Sequence, residues 1–479
     1  MGSTRKSRAR LSGQHIPKKV LSGPKKVLSG PRLAAGLLGI CFLATLSAPA
    51  WAQDGGGLIR DAEIERDIRI FVTPVFRAAG LDASFVRIYL VNSSQINSFV
   101  AGGQRVFINT GLLMRSQNAN QIVGVIAHET GHIAGGHLVR SQEALEAATV
   151  QSIVGVILGT AGAIVDRNGE VAAAGAMAGE SMGIRSLFAY SIGQEERADQ
   201  AALTFLDRTH QSARGLLQFF EILEREELLP ASDQDPYLRT HPLTEDRINF
   251  VREHVAHSPY SDAPDSPSYA VMHARILAKL RGFLLPPSKV LELYPESDQS
   301  VAARYARAAA YHRIPMHARA MAEIDSLLRE QPNDPYFNEL RGQILFEDGM
   351  VAASLPSYRR AAQLAPDEPL LKVELAAAEL EDERDPALAK EALGLLQSAL
   401  RLDDSDTDAW RDLAIAWGRL GNLGQASLAL AEEAILAGDL GTAKGQALRA
   451  RRLLPSGSPG WIRANDIARE AKNEKDDQD

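Results

Sequence analysis

Val125-Ile126-Ala127-His128-Glu129-Thr130-Gly131-His132 is an apolar, helix-compatible stretch that carries the pattern H-E-x-x-H. Residues four apart on an α-helix share a face, so His128 and His132 can aim two imidazole nitrogens at one metal ion. Glu129 flanks the pair, where a carboxylate can take a proton from a water attacking a carbonyl. The pattern predicts one zinc ion per chain, with His128 and His132 as ligands, Glu129 as catalytic base and hydrolysis as the chemistry. The alternative is a chance His-Glu-Thr-Gly-His on a half-buried helix, and a third ligand elsewhere decides between the two.

A glycine turn could bring a third histidine to the metal in the longer pattern H-E-x-x-H-x-x-G-x-x-H. Gly135 is in place, but His137 comes one position early and Leu138 holds the required site, so His137 is read as a surface or supporting residue. Downstream, Gly193-Gln194-Glu195-Glu196-Arg197-Ala198-Asp199 opens an apolar-periodic helix that sets Glu195 and Asp199 four apart on one face. Glu195 can complete a His2Glu site that leaves a fourth position for water. Asp199 can accept the free N–H of a ligating histidine and fix its tautomer. A solvated acidic turn is the plainer reading of the same residues.

His128-Glu129-x-x-His132, then Glu195-x-x-Ala198-Asp199, then Thr240-His241-Pro242 together resemble the M48 family of metallopeptidases over roughly residues 58 to 251. With a leader and a helical-repeat tail, the chain is most similar to the periplasmic, barrel-assembly-enhancing branch of that family. The resemblance implies a zincin (gluzincin) catalytic domain, ligands His128, His132 and Glu195, and Glu129 as base. It also implies that His241 can close onto the zinc as an inhibitory fourth ligand, or alternatively donate to an oxyanion. One departure is Ile192, where the family often has an arginine after the serine, and this puts a local salt bridge in doubt.

The chain has 479 residues and a formal net charge of −8, without the basic surplus that would suggest a nucleic-acid partner. No acidic residue precedes Asp54, whereas nine lysines and arginines do, and an apolar run from Leu33 to Leu46 leads to Ala48-Pro49-Ala50-Trp51-Ala52. Residues 1–52 therefore read as a cleaved signal peptide that sends the protein to the periplasm. Cleavage would remove those nine charges, taking −8 to −17, together with the single cysteine, Cys41.

Val86 to Val91 and Gln104 to Asn109 read as strands, separated by Asn97-Ser98-Phe99-Val100-Ala101-Gly102-Gly103. A strand beside the metal helix can pair its edge with an extended substrate, which marks Gly102, Gly103 and Val106 as substrate-strand candidates; an ordinary hairpin turn is the alternative. Residues 152–184 are apolar in two runs, each shorter than a membrane span. They are expected to form a helical hairpin over the active site in peripheral contact with membrane or substrate, or else ordinary core.

Composition divides the rest into a protease domain at 53–260, a linker at 261–270 around Asp262-Ala263-Pro264-Asp265-Ser266-Pro267, and a helical-repeat domain at 271–475. A chain cut after Asp265 is accordingly expected to fold. Pro332 and Pro366 stand one tetratricopeptide period of 34 residues apart, and about four divergent repeats run from Gln299 to Leu454. The fold class is thus mainly α with a small β-sheet, a metalloprotease followed by an α-solenoid. The function expected is an exported zinc endopeptidase acting on unfolded or misassembled proteins in outer-membrane quality control. Its repeats would recruit those substrates or the outer-membrane assembly machinery. The rival is a periplasmic chaperone or scaffold that works mainly through the repeats.

Overall fold

The computed structural model describes residues 57–101, 104–137, 191–227, 241–382 and 385–476. Residues 1–52, expected to be a signal peptide, residues 152–184, Gly102 and Gly103 lie outside the described residues.

Four strands form one sheet in the order β1 (Leu58–Ile59), β2 (Arg87–Val91), β4 (Arg105–Asn109), β3 (Ser98–Ala101). β1 is antiparallel to β2, β2 parallel to β4, and β3 antiparallel to β4. The strand period of two sends Ile88, Leu90, Val106 and Ile108 into the main core. Tyr89, Phe107 and Phe99 alternate with them and stack across three strands at centroid distances of 5.1 and 4.8 Å.

Val106 needs a correction as a substrate strand. Its strand is interior, with Val106 opposite Ile88 on one side and Val100 on the other, so both backbone edges are already paired. The sheet edge on this side is β3, which the sequence reading took for part of the turn. Leu58–Ile59 is the short strand β1, paired with the end of β2.

Against the sheet pack α1 (Ala62–Ala78) and α3 (Ala119–Ala134), with α2 (Thr110–Arg115) between them in sequence. The Asn118 side chain caps α3 by accepting from the Gln121 N–H, and α3 stops at Gly135, followed by Gly136 in the left-handed region at φ 59°. Three further helices close this part: α4 (Ile192–Arg208), α5 (Arg214–Glu227) and α6 (Glu245–His257). Glycines let α3 approach its neighbours closely. A Cβ on Gly131 would lie 2.6 Å from the Ala198 carbonyl of α4, and one on Gly124 2.6 Å from the Leu216 nitrogen of α5.

The remainder is helical. α7 (Pro267–Leu284) and α8 (Pro287–Leu293) precede five antiparallel pairs among the described residues. These are α9 (Val301–Arg313) with α10 (His317–Glu330), α11 (Pro335–Glu347) with α12 (Val351–Leu364), and α13 (Pro369–Leu380) with α14 (Pro386–Leu400). α15 (Thr407–Arg419) with α16 (Leu423–Leu436) and α17 (Leu440–Leu453) with α18 (Pro459–Asp476) complete the array. The first helices of successive pairs start at 301, 335 and 369, the 34-residue step read from the prolines. The fifth pair carries the array past Leu454, where the sequence pattern fades.

The stretch 261–270 is not the free linker that its composition suggests. Ser261 is buried, its carbonyl accepts from Ser212 Oγ at 2.6 Å, and α7 begins at Pro267. Ile276 and Leu280 of α7 belong to the same core as Phe71, Phe76 and Ile126. The start of α1 is in turn embedded among the repeats, where Ala62 packs on Tyr336, Ala361, Leu370 and Leu371. Around it runs a buried ionic network. Lys279 Nζ lies 2.8 Å from Asp61 and 3.2 Å from Glu339, Arg275 pairs with Glu63 and Asp334, and the Tyr305 hydroxyl donates to Glu63 at 2.7 Å. Arg60 reaches Asp403 at 2.8 Å. No helix among the described residues is long and apolar enough to cross a membrane.

Candidate metal centre

His128 and His132 project from α3, Glu195 and Asp199 from the first turns of α4, and His241 from just before α6; all five are fully buried. Ser191 and Gln194 form a capping box that fixes the start of α4. The Nε2 atoms of His128 and His132 are 3.1 Å apart. Glu195 Oε2 lies 3.2 Å from His128 Nε2, and Glu195 Oε1 lies 3.3 Å from His132 Nε2. His241 Nδ1 is 3.1 Å from Glu195 Oε1. The ligand atoms of these four residues all fall within 4.8 Å of one another.

These contacts cannot all be hydrogen bonds, because two facing imidazole nitrogens and a carboxylate do not carry enough protons to donate to one another. They do match a shared ion: a tetrahedron with arms of about 2.0–2.1 Å has edges of about 3.3 Å, and nitrogen and oxygen donors of this kind suit a divalent metal. Glu129 points the same way. It is fully buried, and neither carboxylate oxygen has a hydrogen-bond partner among the described residues. Such a group is costly to bury unless something polar or cationic meets it. His241 Nε2 lies 3.7 Å from its Oε1.

The surrounding groups hold the donors in place. Asp199 Oδ1 lies 2.7 Å from His128 Nδ1, which leaves Nε2 facing the cluster. His137 Nδ1 lies 3.0 Å from His132 Nδ1, so His137 supports a member of the cluster from outside it. Arg247, which the sequence reading missed, extends from the first turn of α6 and anchors both carboxylates, its NH2 donating to Asp199 Oδ1 at 3.0 Å. Its NH1 is 2.9 Å from Glu195 Oε2, its Nε 2.7 Å from Asp199 Oδ2, and its NH1 also donates to the Pro242 carbonyl at 2.7 Å. The guanidinium lies over the Phe220 ring at 5.1 Å. Its only sequence signal is an arginine six residues after His241 in the apolar-periodic start of a helix. Ile192, at the position where the doubted salt bridge would have been, is exposed, and Arg247 supplies the cation from a different element.

Burial pushes the Glu129 carboxyl up to about 7, with His241 and His128 pulling the other way. Burial also opposes ionisation of Glu195, but His241, His128 and His132 together hold that carboxyl far below its ordinary value. His128 is depressed by burial yet held up at about 10 by Asp199 and Glu195, while burial takes His132 well below the usual imidazole value. With no ion in the cluster, one carboxylate is held in its charged form and the other is raised by burial.

The sequence model of peptidase family M48 matches residues 60–255. The β-barrel assembly-enhancing protease of Yersinia pestis is 28% identical over 365 residues, which cover 74% of this chain and 73% of that protein. The protein of the same name from Escherichia coli (strain K12) is 26% identical over 356 residues, 74% of this chain and 71% of the relative. Among solved structures, YrrB, described as a TPR protein with an unusual peptide-binding site, is 18% identical with a TM-score of 0.30, covering 38% of this chain and 91% of its own. The chain carries a peptidase family M48 domain, and the protein is a metallopeptidase.

Proposed function

We propose that the protein is an exported zinc endopeptidase that acts in the periplasm on unfolded or misassembled outer-membrane proteins. The observation that carries this reading is the buried convergence of His128, His132, Glu195 and His241 beside a Glu129 that has no hydrogen-bond partner among the described residues. His128, His132 and Glu195 would hold the zinc, and His241 is placed to join them. When bound, zinc supplies a Lewis acid that makes water nucleophilic near neutral pH. Glu129 takes the proton from the attacking water and returns it to the leaving amine. Asp199 and His137 keep the ligand imidazoles in the tautomers that face the ion, and Arg247 holds the Glu195 and Asp199 carboxylates in place.

The repeats at 271–475 recruit substrates or the outer-membrane assembly machinery. The names of the Yersinia and Escherichia relatives favour that setting, as does the leader-like composition of residues 1–52. A second reading, a chaperone or scaffold with a latent protease, is favoured by one observation: His241 already lies against the cluster, 3.1 Å from Glu195, where it would compete with water.

Glu129→Gln tests the enzymatic reading. It should keep the metal and abolish cleavage of an unfolded protein, whereas activity near wild type would remove Glu129 from the chemistry. Assaying partner binding alongside cleavage separates the two readings, since a scaffold keeps its cellular role in that variant.

A further inference from the structure

We propose that the outward face of α17 docks the protein on an anionic lipid surface. This helix carries four cations, Lys444, Arg449, Arg451 and Arg452, and no acidic side chain, in a chain whose formal net charge is −8. Ala443, Ala447 and Ala450 turn into the array and are fully buried. On the other side Gly445, Leu448, Arg449, Arg452 and Leu453 recur at steps of three and four, the spacing of one helical stripe, and all five are exposed.

Two features separate this stripe from an ordinary solvated helix face. Its cations, first, are not used by the fold. The arginines of α9 show the usual arrangement, Arg304 meeting Glu330 at 2.7 Å and Arg307 meeting Glu323 at 2.6 Å. No ion pair among the described residues involves Lys444, Arg449 or Arg452. Arg451 instead lies over the Trp461 ring of α18 at 5.3 Å. Second, leucines are interleaved with these cations. Leu448 is 38% and Leu453 49% exposed, and Leu423, 50% exposed, stands beside them on α16. The start of α16 touches the end of α17, since a Cβ on Gly424 would lie 2.8 Å from the Leu454 side chain and 3.4 Å from the Leu453 backbone.

The mixture selects the occupant. An acidic peptide would answer the arginines and leave the leucines in water, and an apolar one would do the reverse. The surface of an anionic bilayer offers both at adjacent depths: leucines enter the acyl boundary while basic side chains stay with the phosphates. An arginine next to an inserted leucine can do this because its methylene stem lies along apolar material and only its head must be hydrated. The negative charge of the rest of the chain does not prevent approach, because charges more than about 8 Å from the surface are screened at physiological salt. The contact requires neither the metal centre nor recruitment of substrates by the repeats.

The test uses the chain from Gln53 onward, which holds every described residue; the cationic and apolar stretch before it would bind vesicles by itself. Flotation is measured with vesicles of phosphatidylcholine alone and of phosphatidylcholine with about one third phosphatidylglycerol, at about 0.1 M salt. The protein should float only with the anionic vesicles. Arg449→Gln combined with Arg452→Gln should weaken this by about thirtyfold, roughly fivefold for each basic group removed from the surface. Leu448→Ser combined with Leu453→Ser should weaken it by at least about tenfold, which attraction of charge alone would not produce. All four side chains are exposed, so both double variants should unfold at the temperature of the parent. Equal flotation with both kinds of vesicle, unchanged binding by either double variant, or no flotation of the parent overturns the proposal. Capture of the parent by a polyglutamate peptide while anionic vesicles are ignored also overturns it, and gives the face to an acidic protein.

Discussion

Arg247 shows how a single cation can organise a metal site from outside it. Buried with two carboxylates, it neutralises the charge that would otherwise repel within the Glu195–Asp199 pair, and its fork fixes both orientations at once. Arg247→Met should therefore weaken metal binding by about 10–100-fold, as loss of such support around a metal typically does, measured by competition with a chelator. Arg247→Lys should recover only part of this, because an ammonium cannot span both carboxylates. Binding at wild-type strength in both variants would leave Arg247 with packing alone. His241 allows a test of sign. If it holds the enzyme latent, His241→Ala raises basal cleavage without loss of metal; if it serves the oxyanion, turnover falls by about two to three powers of ten. The residues of the cluster could be named from sequence because four-residue helical spacing is a strong geometric constraint. Arg247 could not, because its partners lie 48 and 52 positions away in sequence, on another helix.

Helix α3 is positioned by the side chains that it lacks. Gly131 sits inside the H-E-x-x-H turn, and its missing side chain lets α4 bring Glu195 to the two histidines. Gly131→Ala should push α4 outward, costing about 1–3 kcal/mol by overpacking and weakening metal binding as well. A melting curve and a chelator titration of this variant check both effects, and an unchanged protein would mean the helices can slide apart without loss. The caps and ends of α3 were legible, since asparagine before an apolar run and a glycine pair after it are local signals. The strand order was not: whether β4 is interior or at an edge depends on β3 and β1, and a two-residue strand such as Leu58–Ile59 has no period to read.

Protease and repeats form one folding unit. Composition marked a boundary near Asp265, but composition cannot show that Ile276 and Leu280 return to the core beside α1. A chain cut after Asp265 should fail to fold to a soluble monomer, as judged by gel filtration and circular dichroism; a well-folded fragment would show the shared core to be dispensable. The buried network also predicts a pH dependence. Burial raises Glu339 and Glu374, with Glu339 adding to the rise of Glu374, and it takes Asp67 from 3.8 and Glu368 from 4.5 to about 7. A carboxyl raised on folding binds its proton more tightly in the folded state, so the stability it contributes is fully present below its unfolded value and is lost as pH rises through the folded one. These groups should make the protein melt at a lower temperature at pH 8 than at pH 5.5, and Glu374→Gln should flatten that difference. An identical pH profile for the variant would remove Glu374 as a contributor.

Arg60 lies 343 residues from its partner Asp403. Chains emerge from the ribosome at about 5–20 residues per second, so this contact waits roughly 20–70 s for its second half to exist. Over that interval Arg60 has its local partner Glu65 but lacks the anchor that ties the start of α1 to the loop after α14. One tie between the start of the protease part and the repeats is thus completed only late in synthesis.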